Sequence, residues 1–173
     1  MHLHLNILQV EQVTEDYVNW FSNAEVTRYS DNQYRAFSFD GQCSYVEACL
    51  NDENLDLYGI FDGNLHIGNI LVSGLASIHR RLELSYVIGE TRYWGKGVAS
   101  FAIGRMIEIG TPKYKPNKFY ASLASGNIGS AKVLKKNGFV LEGTRKNHLF
   151  YSGEFFDQLD FSLLLTSTKD TKI

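Results

Sequence analysis

Cysteine is nearly missing from this chain. Only Cys43 and Cys49 occur among 173 residues, too few for a disulfide framework, and a reducing cytoplasm is their simplest setting. No apolar run approaches the ~20 residues that a membrane span requires, and Met1 to Val10 shows no positive stretch followed by an apolar one. Neither a span nor a signal peptide is expected, and so no membrane partner. An excess of positive charge is missing too: 17 Lys and Arg stand against 19 Asp and Glu, with a pI near 6.2, without the basic footprint of a nucleic-acid binder. His2 and His4 alternate at a terminus with no cysteine or aspartate partner nearby, so no metal site is expected. There is no low-complexity linker and no internal repeat. What remains is ordinary globular usage, 44% hydrophobic and 21% charged, which predicts one domain over residues 1–165 followed by a loose polar tail, 166–173.

The periodicities along the chain change in an ordered way. Thr14 is placed to cap a first helix whose acidic Glu15 and Asp16 suit the positive end of the dipole, with Tyr17, Trp20, Phe21 and Ala24 on one face. A second helix is expected from Ser38 or Asp40, carrying Cys43, Val46 and Leu50 inward. Then Leu55 to Phe61 and Leu65 to Leu75 flank Asp62-Gly63-Asn64, a hairpin signal. In the strand Leu82 to Ile88, Leu82, Leu84, Tyr86 and Ile88 face one way, and Glu83, Ser85 and Val87 the other. A helix follows from Val98 to Ile109, with Phe101, Ala102, Arg105 and Ile109 on a stripe, and Pro112 and Pro116 bracketing the next loop. Phe119 to Leu123 reads as a strand and Ser130 to Lys136 as a short helix closed by Asn137-Gly138. Two final strands, Phe139 to Thr144 and Phe155 to Leu165, surround a turn at 151–154. The fold class is α/β, a mixed sheet with helices on its faces.

The segment richest in chemistry joins the Leu82–Ile88 strand to the following helix: Gly89-Glu90-Thr91-Arg92-Tyr93-Trp94-Gly95-Lys96-Gly97-Val98-Ala99. A loop of this kind aims several backbone N–H groups at one anion, and the helix dipole adds about half a positive charge there. Gly95 and Gly97 admit close approach without a Cβ, and Arg92 and Lys96 add charge, which points to a phosphate or pyrophosphate. The spacing is neither that of a Walker loop nor that of a dinucleotide fingerprint. On these grounds alone an anion site and a plain tight turn both remain open.

Arg92-x-x-Gly95-x-Gly97 resembles the R/Q-x-x-G-x-G/A signature of the GNAT N-acetyltransferase superfamily. Tyr86-Val87-Ile88-Gly89, Trp94-Gly95-Lys96-Gly97-Val98-Ala99 and Asn127-x-x-Ser130-x-x-Val133-Leu134-x-x-x-Gly138-Phe139 are similar to its RimJ/RimL branch, as are Asp16 to Trp20, Glu25-Val26-x-x-Tyr29 and His66-Ile67-Gly68-Asn69. The likeness runs through nearly the whole chain in order. It implies a splayed, mostly antiparallel sheet whose strands ending at Ile88 and beginning at Phe119 part in a V, with acetyl-CoA as co-substrate lying in the opening. It further implies that the amides of the phosphate loop hold the pyrophosphate, that amides near Val87 and Ile88 bond the pantetheine and thioester, and that Asn127 contacts the pantetheine arm. Trp94, Val98, Ala99, Ser130 and Lys132 join the coenzyme contacts.

Acetyl transfer to an amine needs a neutral nucleophile and a proton for the leaving thiolate, and a positioned base contributes about 10²–10⁴-fold. Glu83 is the first candidate for the base, through water, since it shares a strand face with Val87; a solvated charge, or one paired with Arg80 or Arg81, is the plain alternative. The tyrosine that many superfamily members use as acid is replaced here by Leu134. Ser130, retained from the RimJ/RimL pattern, is the candidate acid, with a helix N-cap or a coenzyme contact as its other readings. Tyr86 and Tyr120 have less support. For the acceptor, Tyr29, Tyr34 and Phe37 lie in the aromatic segment between the first two helices, which borders the acceptor pocket in this superfamily. Tyr86 and His79 join them as candidates. A small-molecule primary amine is expected, leaning to a nucleotide-linked amino sugar. A RimJ/RimL-type protein N-terminus and a non-catalytic acyl-CoA sensor stand as alternatives, and the chain as monomer or homodimer; the final strand, Phe155 to Leu165, is either an exposed edge that could pair subunits or internal to the sheet.

Overall fold

A computed structural model describes residues 1–165; the expected tail, 166–173, lies outside them. Seven strands, β1 (Leu3–Ile7), β2 (Leu55–Asp62), β3 (Leu65–Ser73), β4 (Arg81–Ile88), β5 (Lys118–Ala124), β6 (Val140–Tyr151) and β7 (Glu154–Leu164), form one sheet in the order β1-β2-β3-β4-β5-β7-β6. Every neighbouring pair is antiparallel except β4 and β5, which run parallel. The helices are α1 (Glu15–Trp20), α2 (Ala24–Thr27), α3 (Phe39–Leu50), α4 (Val98–Tyr114) and α5 (Ile128–Lys136). No described helix is long and apolar enough to cross a membrane.

Alternation in β4 divides the molecule. Leu82 and Leu84 are buried in the larger core with Ile103 and Met106 of α4, Leu134 of α5 and Phe119. On the opposite face a second core gathers Tyr17 and Trp20 of α1, Val46 and Cys49 of α3, and Leu57 and Phe61 of β2. Glu83, Ser85 and Val87 point to that second side.

Local signals produced most element starts. The Thr14 hydroxyl accepts from the Tyr17 amide at 3.2 Å and that of Ser38 from the Gly41 amide at 3.1 Å, so both N-caps are where the sequence placed them. Several expectations need correction. The first helix stops at Trp20, because Asn23 caps a separate α2 through the Glu25 amide, 2.9 Å, and Ala24 is left exposed. In α3 the buried stripe is Gln42, Val46 and Cys49, while Leu50 is exposed. Helix α4 runs through Pro112 to Tyr114: near a C-terminus the ring removes one hydrogen bond only, and Lys115 ends the helix in the left-handed region, φ 48°. Its buried stripe is Val98, Ala102, Ile103, Met106 and Gly110, leaving Arg105 exposed against Glu108. Finally, β6 continues to Tyr151, and β7 lies inside the sheet between β5 and β6, so the edge on that side is β6 and the final strand is internal.

Candidate active site

Strands β4 and β5 are paired only from Arg81↔Lys118 to Glu83↔Tyr120, although β4 continues to Ile88 and β5 to Ala124. Beyond Glu83 they part, and the gap opens into a cleft of about 1180 Å³. That exceeds the usual range for a drug-sized ligand, roughly 300–1,000 Å³, and suits a long ligand plus a second one. The Gly89 amide donates to the Ile67 carbonyl, 3.0 Å, so the odd-numbered residues of β4 direct their backbone groups toward β3. Successive residues of a strand bond to opposite edges, which leaves the amides of Tyr86 and Ile88 facing the opening. The resemblance implies amides near Val87 and Ile88; by register those facing the gap belong to Tyr86 and Ile88, while Val87 bonds toward β3. The Ile88 carbonyl is already used, accepting from Trp94 Nε1 at 2.8 Å.

The loop after β4 is fixed from behind. A Cβ on Gly89 would overlap the Trp20 indole at 1.8 Å, and Trp20 Nε1 donates to Glu90 Oε1 at 3.2 Å. Glu90 in turn holds Arg92, Nε to Oε2 3.2 Å. In front, Gly95 and Gly97 have φ of +73° and +82°, and a Cβ on either would meet nothing within 4 Å. Gly97 is the N-cap of α4 and supplies no side-chain acceptor. The first-turn amides of Val98, Ala99 and Ser100 therefore have no partner within the helix, and all three residues line the cleft. Open space, unpaired donors and a helix dipole converge, and a pyrophosphate fits that combination.

Val87, Ile88, Trp94, Gly95 and Gly97 also line the cleft, as do Asn127, Ser130 and Lys132 on the far side. Arg92 and Lys96 do not. Arg92 is turned out to solvent on Glu90, and both cations lie over the Tyr93 ring, at 5.6 and 5.7 Å. They border the site as charges. At α5 the N-cap is Asn127, whose Oδ1 accepts the Ser130 amide at 3.1 Å. Ser130 sits in the first turn rather than at the cap, so its hydroxyl is free of that duty, and the residue lines the cleft. The Tyr86 hydroxyl donates to the Ser130 carbonyl at 3.4 Å, and burial pushes its pKa up. Leu134 is wholly buried and lines no part of the cleft.

Glu83 lies outside the cleft, one same-face position before Ser85, which lines it. Its Oε2 accepts from the Tyr120 hydroxyl at 3.3 Å, and burial, with the Glu83 charge second, pushes the Tyr120 pKa up. Arg80 does not pair with it, bonding the Lys115 carbonyl instead at 2.9 Å through Nε.

Tyr29 and Phe37 from the opposite wall, and Tyr86 of β4, also line the cleft. Tyr29 meets Phe156 edge-on at 5.5 Å and Phe37 stacks on Phe21 at 4.5 Å. Two expectations fail. The Tyr34 hydroxyl donates to the Phe150 carbonyl, 2.9 Å, which carries the side chain onto the β6 turn and away from the cleft. His79 is exposed in the loop before β4, a strand length of about 23 Å from Ile88. Missed in the sequence were Arg28, Arg35, Gln42 and Asn69, all lining the cleft. Two were hidden because α2 and the turn after it are too short to show a period; Asn69 stood in a motif whose role was not read. Glu25 is the only carboxylate on the described lining, against Arg28, Arg35, Lys132 and Lys136. No cluster with metal-ligand composition occurs among the described residues.

A profile of the acetyltransferase (GNAT) domain matches residues 4–140. The N-acetyltransferase YoaA of Bacillus subtilis (strain 168), itself uncharacterized, is 30% identical over 149 residues, 83% of each chain. YdaF of the same organism, whose name proposes ribosomal N-acetylation, is 31% identical over 129 residues, 70% of this chain and 69% of its own. Among solved structures, spermidine N-acetyltransferase from Vibrio cholerae, in complex with CoA and spermine, superposes with a TM-score of 0.83 at 22% identity, over 94% of this chain and 95% of that one. RimL, a ribosomal L7/L12 α-N-protein acetyltransferase in complex with coenzyme A, gives 0.84 at 18% identity, over 95% and 94%. At these identities the two structures speak for the fold.

Proposed function

The chain belongs to the acetyltransferase (GNAT) family and is an acyltransferase, and we propose that it moves an acetyl group from acetyl-CoA directly to the primary amine of a small anionic molecule, a nucleotide-linked amino sugar. The coenzyme is supported by the unpaired first-turn amides behind Gly97 and by the open space in front of Gly95 and Gly97. When bound, acetyl-CoA supplies the thioester that the amine attacks.

The chain's own residues supply the rest. The amides of Val98, Ala99 and Ser100, with Lys132 across the cleft, hold negative charge without spending a titratable group. Those of Tyr86 and Ile88 donate into the gap, where an oxyanion is stabilised best by fixed dipoles. Glu83 takes the amine proton through water passing Ser85, and the Ser130 hydroxyl passes its proton to the leaving thiolate while taking one from water in the cleft. Leu134, sealed in the core, has no part.

The acceptor reading rests on charge. A polyamine would need carboxylates, and Glu25 stands alone against Arg28 and Arg35 at that end. Two guanidiniums suit a diphosphate or carboxylate on the acceptor. A protein N-terminus is the second reading, favoured by kinship with YdaF. The same reading takes the enzyme as cytoplasmic. Thiol release from acetyl-CoA is measured with UDP-glucosamine, a serine-initiated peptide, spermidine and an aminoglycoside. Release with UDP-glucosamine is expected; release with spermidine alone would contradict the charge argument, and no release with acetyl-CoA bound would favour the sensor.

A further inference from the structure

The motif His66-Ile67-Gly68-Asn69 has a role that coenzyme binding does not use. Gly68 serves close approach: a Cβ there would lie 2.4 Å from the Val87 carbonyl oxygen. His66 and Asn69 are buried, 7% and 5% exposed, and His66 Nε2 lies 2.8 Å from Asn69 Oδ1. The rings of Tyr17, Trp20 and Phe61 enclose the imidazole at centroid distances of 5.1, 4.9 and 5.0 Å. Burial holds its pKa below the ordinary value. The Asn69 amide oxygen can only accept, so the ring nitrogen 2.8 Å from it is the donor, Nε2–H. The amide is thereby oriented, and what Asn69 presents to the cleft is the donor Nδ2.

Asn69 stands opposite Val87 in the β3–β4 ladder, so their side chains share one face with Cβ atoms about 4.5–5.5 Å apart. That is the stretch of β4 from which β5 has parted. Gln42, 5% exposed on α3, and Tyr17 on α1 line the same floor. Leu57 and Leu71 complete the floor. Three separate elements thus each bring a polar group to an apolar surface, where burying one is costly unless it has a partner.

We propose that Asn69, oriented by His66, is a specificity-determining residue that donates to an oxygen of the acceptor beside its amine, restricting the enzyme to amines on hydroxyl- or carbonyl-bearing frames. This rests on the acetyl-transfer reading above. His66 is a positioning residue within it.

The test is steady-state thiol release with UDP-glucosamine, a serine-initiated peptide and spermidine, for the wild type, Asn69→Leu and His66→Phe. The wild type is expected to use an oxygen-bearing probe in preference to spermidine. Asn69→Leu should raise KM for that probe about tenfold, the scale of one lost hydrogen bond, with kcat changed less and KM for acetyl-CoA unmoved. His66→Phe keeps a ring in the aromatic box but removes the donor, and should give a smaller rise in the same KM. If Asn69→Leu does not fold, Asn69→Asp keeps the shape and the acceptor for His66 while removing the donor, with the same readouts. An unchanged acceptor KM, a KM for acetyl-CoA that rises in parallel, or a wild type that uses no oxygen-bearing probe overturns the proposal. The acetyl-transfer reading fails on a different result, a wild type that releases thiol with none of the three probes, spermidine included.

Discussion

The two ends of the cleft are built on different principles. The end proposed for the coenzyme is made of backbone: two glycines at positive φ, the unpaired first turn of α4, and a gap left where β5 leaves β4. The end proposed for the acceptor is made of side chains from α1, α2, α3, β3 and β4, brought together by elements far apart in sequence. Backbone sites tolerate change in most side chains and fail at the few positions where a Cβ intrudes. Side-chain sites change selectivity one residue at a time. A family that keeps one coenzyme and varies its acceptors would be expected to divide its cleft in this way.

The largest effect that separates the ends is expected from Gly97→Trp. The new side chain projects into open space in front of the amides, and φ of +82° penalises any L-residue by about 1–2 kcal/mol. Acetyl-CoA binding by calorimetry should fall at least about 100-fold, well beyond the scale of a single lost hydrogen bond, with circular dichroism unchanged; normal binding would remove the loop from the coenzyme site. Glu83→Gln comes next. It should lower kcat about 10²-fold while leaving acetyl-CoA affinity intact, and an unaltered kcat would make Glu83 only the partner of Tyr120. Arg35→Ala should act at the acceptor end alone, raising KM for UDP-glucosamine about tenfold on the scale of a lost charged hydrogen bond; an equal rise for acetyl-CoA would erase the division between the ends. The smallest effect concerns stability. His66 has a depressed pKa when folded, so below the ordinary value near 6.5 the unfolded chain takes up the extra proton and stability falls as pH falls. Wild type should lose more Tm between pH 7.5 and 5.5 than His66→Phe does; equal losses would mean that His66 is not buried neutral.

The same division decided what could be read in the sequence. Strands and caps were legible because Thr14, Ser38 and the Asp62-Gly63-Asn64 turn act within a few residues. Gly95 and Gly97 were legible because backbone conformation restricts residue type locally. The end of α1 was misread because the Asn23 cap overrode a continuing apolar pattern. Pro112 was misread because a proline in the last turn costs one bond rather than a helix. Tyr34 and His79 looked like acceptor residues by their position in the chain, but the Phe150 carbonyl and the far end of β4 took them elsewhere. Arg28, Arg35 and Gln42 gave no local signal, since only tertiary packing brings them to one wall.

The most direct test of the central claim, that backbone amides at the β4–α4 junction hold the coenzyme, is amide hydrogen exchange with and without acetyl-CoA. Protection is expected at Tyr86, Ile88 and Gly97 to Ser100, with little change at Gln42 and Asn69. Protection confined to the acceptor end, or none at the start of α4 while acetyl-CoA is bound, would contradict it.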